Sequence, residues 1–164
     1  IYLSKMEEAQ GHLQMTDFSL SDLTDELVQS FQALAKARGK AFTSTIQPGI
    51  SFHGNERALS QVISNLLDNA LKYSEQSGSI SVDLKKQGRS ICLGVFNTTS
   101  AITEENLNNL FERFYRADPS RNSRTGGHGI GLSIVKAVVT AHKGEIRASS
   151  RDGRSLLISV SFPA

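Results

Sequence analysis

One segment, residues 55–74, limits the possible folds of this chain more than any other. Apolar residues recur along it every three or four positions, which predicts one broad apolar face on a helix. Such a face has to be buried, so the helix is expected to cover a sheet. The apolar positions are Leu59, Val62, Ile63, Leu66, Leu67 and Ala70.

Helical and alternating patterns follow one another along the rest of the chain. Ser21 is expected to cap the first helix, and Gly144 is expected to stop the last one. The order predicts an α/β (α+β) two-layer sandwich, with a mixed, mostly antiparallel sheet packed under about three helices. The other expected helices cover 21–39, 103–110 and 130–142, and the expected strands cover 15–20, 41–46, 50–54, 79–87, 90–97, 145–151 and 155–162.

Composition narrows the class of protein. An apolar fraction of 38% and a charged fraction of 21% fit a globular domain. The net charge of +2 gives no general attraction to nucleic acid or to anionic membrane. Cys92 lies in an apolar run, which predicts a buried thiol and a reducing compartment. No apolar run approaches the ~20 residues of a membrane-spanning helix, and the chain opens within a helical pattern, as a fragment would.

A polar stripe borders the apolar face of the 55–74 helix. Asn65 and Asn69 are i,i+4 neighbours, and Lys72 follows three positions later. The stripe is roughly 10 Å long, about the reach of a triphosphate with its metal ion. Amide oxygens are hard ligands that suit Mg²⁺, and a lysine supplies a point charge for phosphate. A solvated helix face with ordinary caps is the alternative explanation.

A glycine-rich turn precedes the last expected helix. Glycines let a backbone approach phosphate closely, and a helix N-terminus offers free N–H groups. Ile130 and Leu132 are candidates for lining a base pocket, while a flexible loop is the alternative. The turn lacks the Lys-Ser or Lys-Thr pair of a Walker A motif, and no strand leads into it as in a Rossmann turn. It reads Gly126-Gly127-His128-Gly129-Ile130-Gly131-Leu132.

Residues 111–127 carry four arginines against two acidic residues. Arginines near a phosphate loop suit the neutralisation of a phosphoryl group in transfer. A solvated basic loop pinned by its aromatic residues is one alternative. A nucleic-acid patch is another, although the charge elsewhere is balanced.

Taken together, three segments strongly resemble the N, F and G2 boxes of sensor histidine kinases of two-component systems. The resemblance is to their catalytic and ATP-binding domain, which has the Bergerat (GHKL) fold, and it covers residues 14–164. Residues 1–13 resemble the end of the preceding dimerisation-domain helix. The three segments are NLLDNALKYS (65–74), LFERFYRADPSRN (110–122) and TGGHGIGLSIVKAVVTAHKGEI (125–146).

The resemblance implies a role for each matching residue. Asn69 corresponds to the Mg²⁺-ligating asparagine, Asn65 to the first asparagine of the N box, and Lys72 to a phosphate-contacting lysine. Tyr73 corresponds to a residue beside adenine and ribose. Arg113 and Arg116, in an ATP lid at about 112–128, match arginines that face the γ-phosphate or the histidine-bearing helix. Gly127, Gly129 and Gly131 match phosphate-side glycines, with Ile130 and Leu132 beside the nucleotide.

One box departs from the family pattern. The family's G1 box reads Asp-x-Gly-x-Gly-Ile, and its aspartate accepts a hydrogen bond from the adenine amino group. Here the stretch runs from Asn97 to Ile102, and both glycines are replaced. An amide oxygen still accepts that bond, but without charge assistance. Asn97→Asp is therefore expected to tighten adenine recognition.

The implied function is transfer of the γ-phosphoryl group of ATP, with Mg²⁺, to a histidine on the dimerisation domain, for relay to a response regulator. The alternative is a pseudokinase or interaction module that binds nucleotide weakly. The sequence FERFYRAD (111–118) disfavours a chaperone, topoisomerase or mismatch-repair ATPase, and no nucleic-acid partner is expected. The resemblance implies a cytoplasmic domain of a membrane-anchored bacterial parent; the fragment is expected to be a monomer and the parent a homodimer.

No phosphoacceptor histidine with its acidic neighbour is present in the sequence. We expect all four histidines to be structural or incidental, with His53 and His142 on the surface.

Overall fold

Five strands form the main sheet of the computed structural model, which describes residues 13–112 and 131–164. The strand order is β2-β4-β5-β7-β6, and every adjacent pair is antiparallel except β2 with β4. The two remaining strands, β1 and β3, form a second, antiparallel sheet of two strands. The strands are β1 (Thr16–Ser19), β2 (Ala41–Ile46), β3 (Ser51–Gly54), β4 (Ser79–Gln87), β5 (Ser90–Thr98), β6 (Glu145–Ser149) and β7 (Ser155–Pro163).

Helices cover one face of the main sheet. The helix α2 packs on β5 and contacts both α1 and α4. All six apolar residues expected on its buried face are at most 1% exposed. The predicted two-layer arrangement is therefore confirmed. The helices are α1 (Leu20–Ala37), α2 (Glu56–Tyr73), α3 (Glu104–Asn109) and α4 (Gly131–Ala141).

Within the described ranges, no helix combines the length and the apolar character that crossing a bilayer requires.

Local signals at the element ends explain most boundaries. Asn55 caps α2 by accepting a hydrogen bond from the Ala58 N–H at 2.8 Å. Thr103 caps α3 in a capping box with Asn106. Gly88, at φ +60°, occupies the two-residue loop between β4 and β5, where a positive φ is required.

Two end signals differ from their prediction. Ser19, not Ser21, caps α1 by accepting from the Asp22 N–H, because Ser21 is buried and bonds the β2–β3 connection at Gln47 instead. After α4, the left-handed residue is Lys143, at φ +61°. Gly144 is needed for space, since a Cβ there would lie 2.6 Å from the Ser161 carbonyl oxygen.

Three further expectations are corrected by the fold. The sequence predicts one sheet, but β1 pairs with β3 alone, with the rings of Phe18 and Phe52 in edge-to-face contact. Cys92 is half-buried, because its neighbours in β5 point to the helices and it points to the opposite face. His142 is buried and not on the surface, whereas His53 is exposed as expected.

Candidate functional site

The polar stripe of α2 lies at the border of the buried helix face. Asn65, Asn69, Lys72 and Tyr73 are all half-buried, while the neighbouring apolar residues are fully buried. Half-burial keeps these polar groups accessible to a ligand and shields them partly from bulk water. The arrangement is the one that the helical spacing predicts.

Asn65 joins α2 to the start of α4. Its Nδ2 donates to the Gly131 carbonyl at 3.3 Å, and its Oδ1 accepts from Gln61 Nε2 at 3.0 Å. Both ends of the amide are therefore engaged within the protein. This contact brings the N box and the first helical residue after the glycine-rich turn together, although they are 66 positions apart.

Asn69 and Lys72 differ in how they are held. Among the described residues Asn69 has no hydrogen-bond partner, so its amide oxygen is available to a ligand. Lys72 Nζ lies 3.1 Å from Asp68 Oδ2, in an i,i+4 pair whose side chains are 25% and 52% exposed. Such a partly exposed pair is worth only about 0.3–0.5 kcal/mol, so the ammonium group is readily released to a phosphate.

The C-terminal end of α2 is fixed by a cation from another part of the chain. Lys40 Nζ donates to the carbonyls of Leu71 and Ser74, each at 2.9 Å, and to Ser74 Oγ at 2.6 Å. Carbonyls at a helix C-terminus lack helical partners, and the helix dipole favours a positive charge there. Lys40 therefore holds the turn that carries Lys72 and Tyr73.

The exit from α2 is tied to the end of β5. The Glu75 N–H donates to the Thr98 carbonyl at 3.3 Å, and the Ser79 N–H donates to Thr98 Oγ1 at 3.0 Å. Gly78 permits this approach, because a Cβ there would overlap Thr98 Oγ1. These bonds place the N box beside the altered G1 box.

Asn97, which the resemblance predicts in place of the family's adenine-binding aspartate, lies near the end of β5. It is 2% exposed, and its Nδ2 donates to the Thr98 carbonyl at 3.0 Å. Its Oδ1 makes no hydrogen bond within the described part of the chain. An amide held by its nitrogen presents its oxygen, which is the atom that accepts from an amino group.

The loop after Asn97 is held by backbone bonds to the β6–β7 turn. The Thr99 N–H donates to the Arg154 carbonyl at 2.8 Å, and the Ile102 N–H donates to the Gly153 carbonyl at 2.9 Å. These bonds do not depend on side-chain identity. They explain how the loop keeps a defined path without the two family glycines.

Asp152 stabilises that turn. Its Oδ1 accepts from the Arg154 N–H at 2.9 Å and from Ser155 Oγ at 2.8 Å. These hydrogen bonds to the ionised form lower the pKa of the Asp152 carboxyl, the bond from the Arg154 N–H contributing most.

Several predicted site residues lie outside the described ranges: Arg113, Arg116, Gly127, Gly129 and Ile130, with nearly all of the expected lid at 112–128. Their roles, and the assignment of residues 1–13 to a preceding domain, stay predictions. Of the apolar candidates, Ile102 and Leu132 are half-buried against the core. Gly131 is exposed at the start of α4.

Three supporting residues were not identified from the sequence. Gln61 lies four positions before Asn65, and this i,i+4 spacing is a usable signal for the bond between them. Lys40 is 31 positions from its first acceptor, and no local pattern indicates such a contact. His142 follows the apolar run of α4 and was expected on the surface.

Mg²⁺ fits the residues that are present. In the described ranges, no group of three or more His, Cys, Asp or Glu residues is placed to hold a metal. The open amide oxygen of Asn69 is a hard neutral donor, of the kind that Mg²⁺ accepts when phosphate oxygens and water complete its shell.

Comparisons with known proteins identify the family of this chain. The model of the family described as histidine kinase-, DNA gyrase B-, and HSP90-like ATPase matches residues 54–164. The probable sensor protein PcoS of Escherichia coli is 35% identical over 160 residues, covering 98% of this chain and 34% of that protein. The signal transduction histidine-protein kinase BaeS of Escherichia coli is 30% identical over 161 residues, covering 98% and 34%. The chain thus spans about a third of the length of these curated relatives.

Solved structures share the fold. The catalytic domain of histidine kinase ThkA superposes with a TM-score of 0.80 at 22% identity, covering 92% of this chain and 96% of that one. The mycobacterial sensor histidine kinase MprB gives a TM-score of 0.76 at 25% identity, covering 92% and 97%. The family model matches more than half of the chain, so this protein belongs to the histidine kinase-, DNA gyrase B-, and HSP90-like ATPase family.

Proposed function

We propose that this chain is the ATP-binding catalytic domain of a sensor histidine kinase. The observation that carries the proposal is the bond from Asn65 to the Gly131 carbonyl. This bond places the edge of α2 that carries the open amide of Asn69 and the ammonium group of Lys72 beside the N-terminus of α4. Such a combination of groups suits the binding of a triphosphate. The names of the curated relatives, a probable sensor protein and a histidine-protein kinase, support the same assignment.

The proposed reaction moves the γ-phosphoryl group of ATP to a histidine on the dimerisation domain. The bond between the γ-phosphorus and the bridging oxygen breaks, ADP leaves with the electron pair, and a phosphorus–nitrogen bond forms. The imidazole proton passes to a base beside that histidine. Positioning and charge neutralisation are the contributions expected of this domain.

Individual residues divide that work. Asn69 would hold Mg²⁺, which supplies charge neutralisation on the phosphate oxygens when bound. Lys72 would leave Asp68 for the phosphates, and the Asn97 oxygen would accept from the adenine amino group. Tyr73, Ile102 and Leu132 would border the base and ribose. The resemblance adds Arg113, Arg116, Gly127, Gly129 and Gly131 on the phosphate side, and Ile130 beside Leu132 at the base.

The proposed partners are a dimerisation domain and a response regulator. Support comes from a solved structure of the histidine kinase ThkA in complex with the response regulator protein TrrA, a chain that shares this fold. We place the domain on the cytoplasmic side of a membrane-anchored homodimeric parent. The isolated domain is proposed to be a monomer, which sedimentation would test.

The first experiment is calorimetric titration of the domain with Mg-ATP, Mg-ADP and Mg-GTP, repeated with EDTA. We expect adenine-selective binding that weakens when Mg²⁺ is removed. A folded domain that binds none of them at millimolar concentration would instead support the alternative of an interaction module of the same fold.

Phosphoryl transfer needs the full-length parent. Incubation with γ-labelled ATP is expected to give a protein-bound label that is stable in alkali and labile in acid, as phosphohistidine is. Binding without transfer would support the pseudokinase alternative.

A further inference from the structure

His142 is a buried histidine at the end of α4, far along the helix from the proposed phosphate contacts. Only 7% of the residue is exposed. Its Nε2 accepts a hydrogen bond at 3.0 Å from the backbone N–H of Asn55, the cap residue of α2. Its Nδ1 lies 2.8 Å from the Val138 carbonyl of α4. The imidazole is therefore a bridge between the two helices.

These two bonds define a single protonation state. Nε2 accepts, so it carries no proton, while Nδ1 faces a carbonyl and has to donate. The neutral imidazole with its proton on Nδ1 satisfies both contacts. A second proton on Nε2 would face the Asn55 N–H donor and break the bridge.

The surroundings are shaped for this ring. Gly54 leaves the necessary space, because a Cβ there would lie 2.8 Å from His142 Cδ2. The rings of Phe52 and Phe162 lie with their centroids 5.9 Å and 6.2 Å from that of His142. These two rings lie 4.9 Å from each other and form an apolar wall on one side of the imidazole, which favours the neutral ring over the charged one.

The bridge and the Asn65 contact together fix how the two helices lie. Asn65 meets Gly131 at the start of α4, and Asn55 meets His142 just after its end. The helices therefore run antiparallel and are bonded at two points about 15 Å apart along α2. Valine and isoleucine packing between them is non-directional, whereas these hydrogen bonds are directional.

From this geometry we infer that His142 is a positioning residue of the nucleotide site, whose neutral imidazole sets the alignment of α4 on α2 and thereby the place of Gly131 against Asn65. The inference rests on the proposed nucleotide site. It adds a consequence, that binding of nucleotide and protonation of His142 oppose each other.

Burial lowers the pKa of His142, and the bond to the Val138 carbonyl opposes that shift without cancelling it. No charged side chain in the described ranges contributes to the shift. Of the elements packed around the ring, β7 carries no titratable group, and the half-buried ones of α2, Lys72 and Tyr73, lie at the opposite end of that helix. The remaining groups are exposed: His53 on β3, Glu56, Arg57 and Asp68 on α2, Lys136 and Lys143 on and after α4, and Glu145 and Arg147 on β6.

The direct test is an NMR titration of the four histidines of the chain, with and without saturating Mg-ADP, whose phosphates titrate little in the range studied when metal-bound. We expect His142 to show the Nδ1–H tautomer and a pKa that falls further when nucleotide binds. The exposed His53 serves as the internal reference. A His142 pKa that nucleotide leaves unchanged would overturn the inference, even where binding itself is normal.

Two substitutions give an independent readout. His142→Phe keeps an aromatic ring and removes both bonds, and is expected to weaken Mg-ADP binding about tenfold at pH 7.5, which is the net size typical of a buried hydrogen bond. His142→Gln offers an oxygen to the Asn55 N–H and is expected to recover part of the lost affinity. Unlike the unsubstituted domain, this variant should not bind Mg-ADP more weakly below pH 6.5. His53→Gln is the matched control.

The outcomes separate the two proposals. If the unsubstituted domain binds no nucleotide, the proposed function fails. If it binds, and the folded His142→Phe variant shows the same affinity and the same pH profile, only the role of His142 fails. Should that variant not fold, the NMR titration of the parent domain decides.

Discussion

The phosphate side and the base side of the proposed site are built from different kinds of contact. On the phosphate side, side chains of α2 carry the chemistry, and Asn65 reaches across to α4. On the base side, backbone N–H groups of Thr99 and Ile102 hold the loop to the β6–β7 turn. Side-chain contacts depend on residue identity, whereas backbone contacts tolerate substitution.

This difference explains why one box matches its family and another does not. The predicted N box has the two asparagines and the lysine of the family pattern, and backbone atoms cannot supply the open amide and ammonium group that its proposed roles require. The G1 box has lost its carboxylate and both glycines, yet its path is fixed by the turn at Gly153 and Arg154. The base side therefore has room for sequence change that the phosphate side lacks.

The largest expected effect is a loss of Mg-ATP affinity when the phosphate side is altered. Asn69→Ala removes the open amide oxygen and is expected to weaken Mg-ATP binding by tenfold or more, about 1.4 kcal/mol. Asn69→Asp is expected to weaken it too, because a carboxylate repels the phosphates. Calorimetry measures the change in affinity, and an unchanged circular dichroism spectrum shows that each variant is folded. Asn108→Ala on α3 is the control. If both variants bind Mg-ATP as tightly as the unsubstituted domain, and still depend on Mg²⁺, Asn69 is not the metal ligand.

The second effect concerns the support beneath the phosphate side. Lys40→Met keeps the aliphatic stem but leaves the Leu71 and Ser74 carbonyls without the ammonium group, so stability is expected to fall by about 2 kcal/mol. Chemical denaturation measures the change. Lys36→Met, at an exposed position of the preceding helix, is expected to change stability by less than about 0.5 kcal/mol. Equal effects of the two variants would contradict the role of Lys40.

The third prediction concerns the recognition of adenine on the base side. Asn97→Asp is expected to strengthen the bond to the adenine amino group and tighten Mg-ATP binding by at most about tenfold. The same change should lower the stability of the free domain by about 1–3 kcal/mol, since a carboxylate oxygen then faces the Thr98 carbonyl. Titration and thermal unfolding measure the two effects separately. In Asn97→Leu, which has no polar atom, preference for Mg-ATP over Mg-GTP should disappear.

The smallest effect tests the turn that holds the base side. The folded pKa of Asp152 lies below its unfolded value, so its contribution to stability is present at neutral pH. That contribution is lost as pH falls below about 4, through the folded pKa. Asp152→Ala should therefore be slightly less stable than the parent at pH 7, and the difference should shrink in acid. A difference that grows in acid would refute this.

Periodicity predicts the elements well because burial decides them. The buried face of α2 follows from the spacing of its apolar residues, and the bounds of β4 and β5 follow from their alternating pattern. The resemblance supplied the family, and the matching family model confirms it. The roles of individual site residues remain predictions.

Sequence reasoning failed where contacts are distant along the chain. The bonds from Lys40 to Leu71 and from Asn55 to His142 join residues 31 and 87 positions apart, so no local pattern indicates them. Burial of His142 depends on the space left at Gly54. The position of Ser19 as the cap was obscured because Ser21, two residues later, is an equally good cap by type.

The backbone bonds of the base-side loop also make its order directly observable. The amide hydrogens of Thr99 and Ile102 are each committed to a carbonyl of the β6–β7 turn. Their exchange with deuterated solvent requires the loop to part from the turn, so the exchange rate reports the free energy of that local opening. Two native amides thus monitor the base side, without a label or a bound nucleotide.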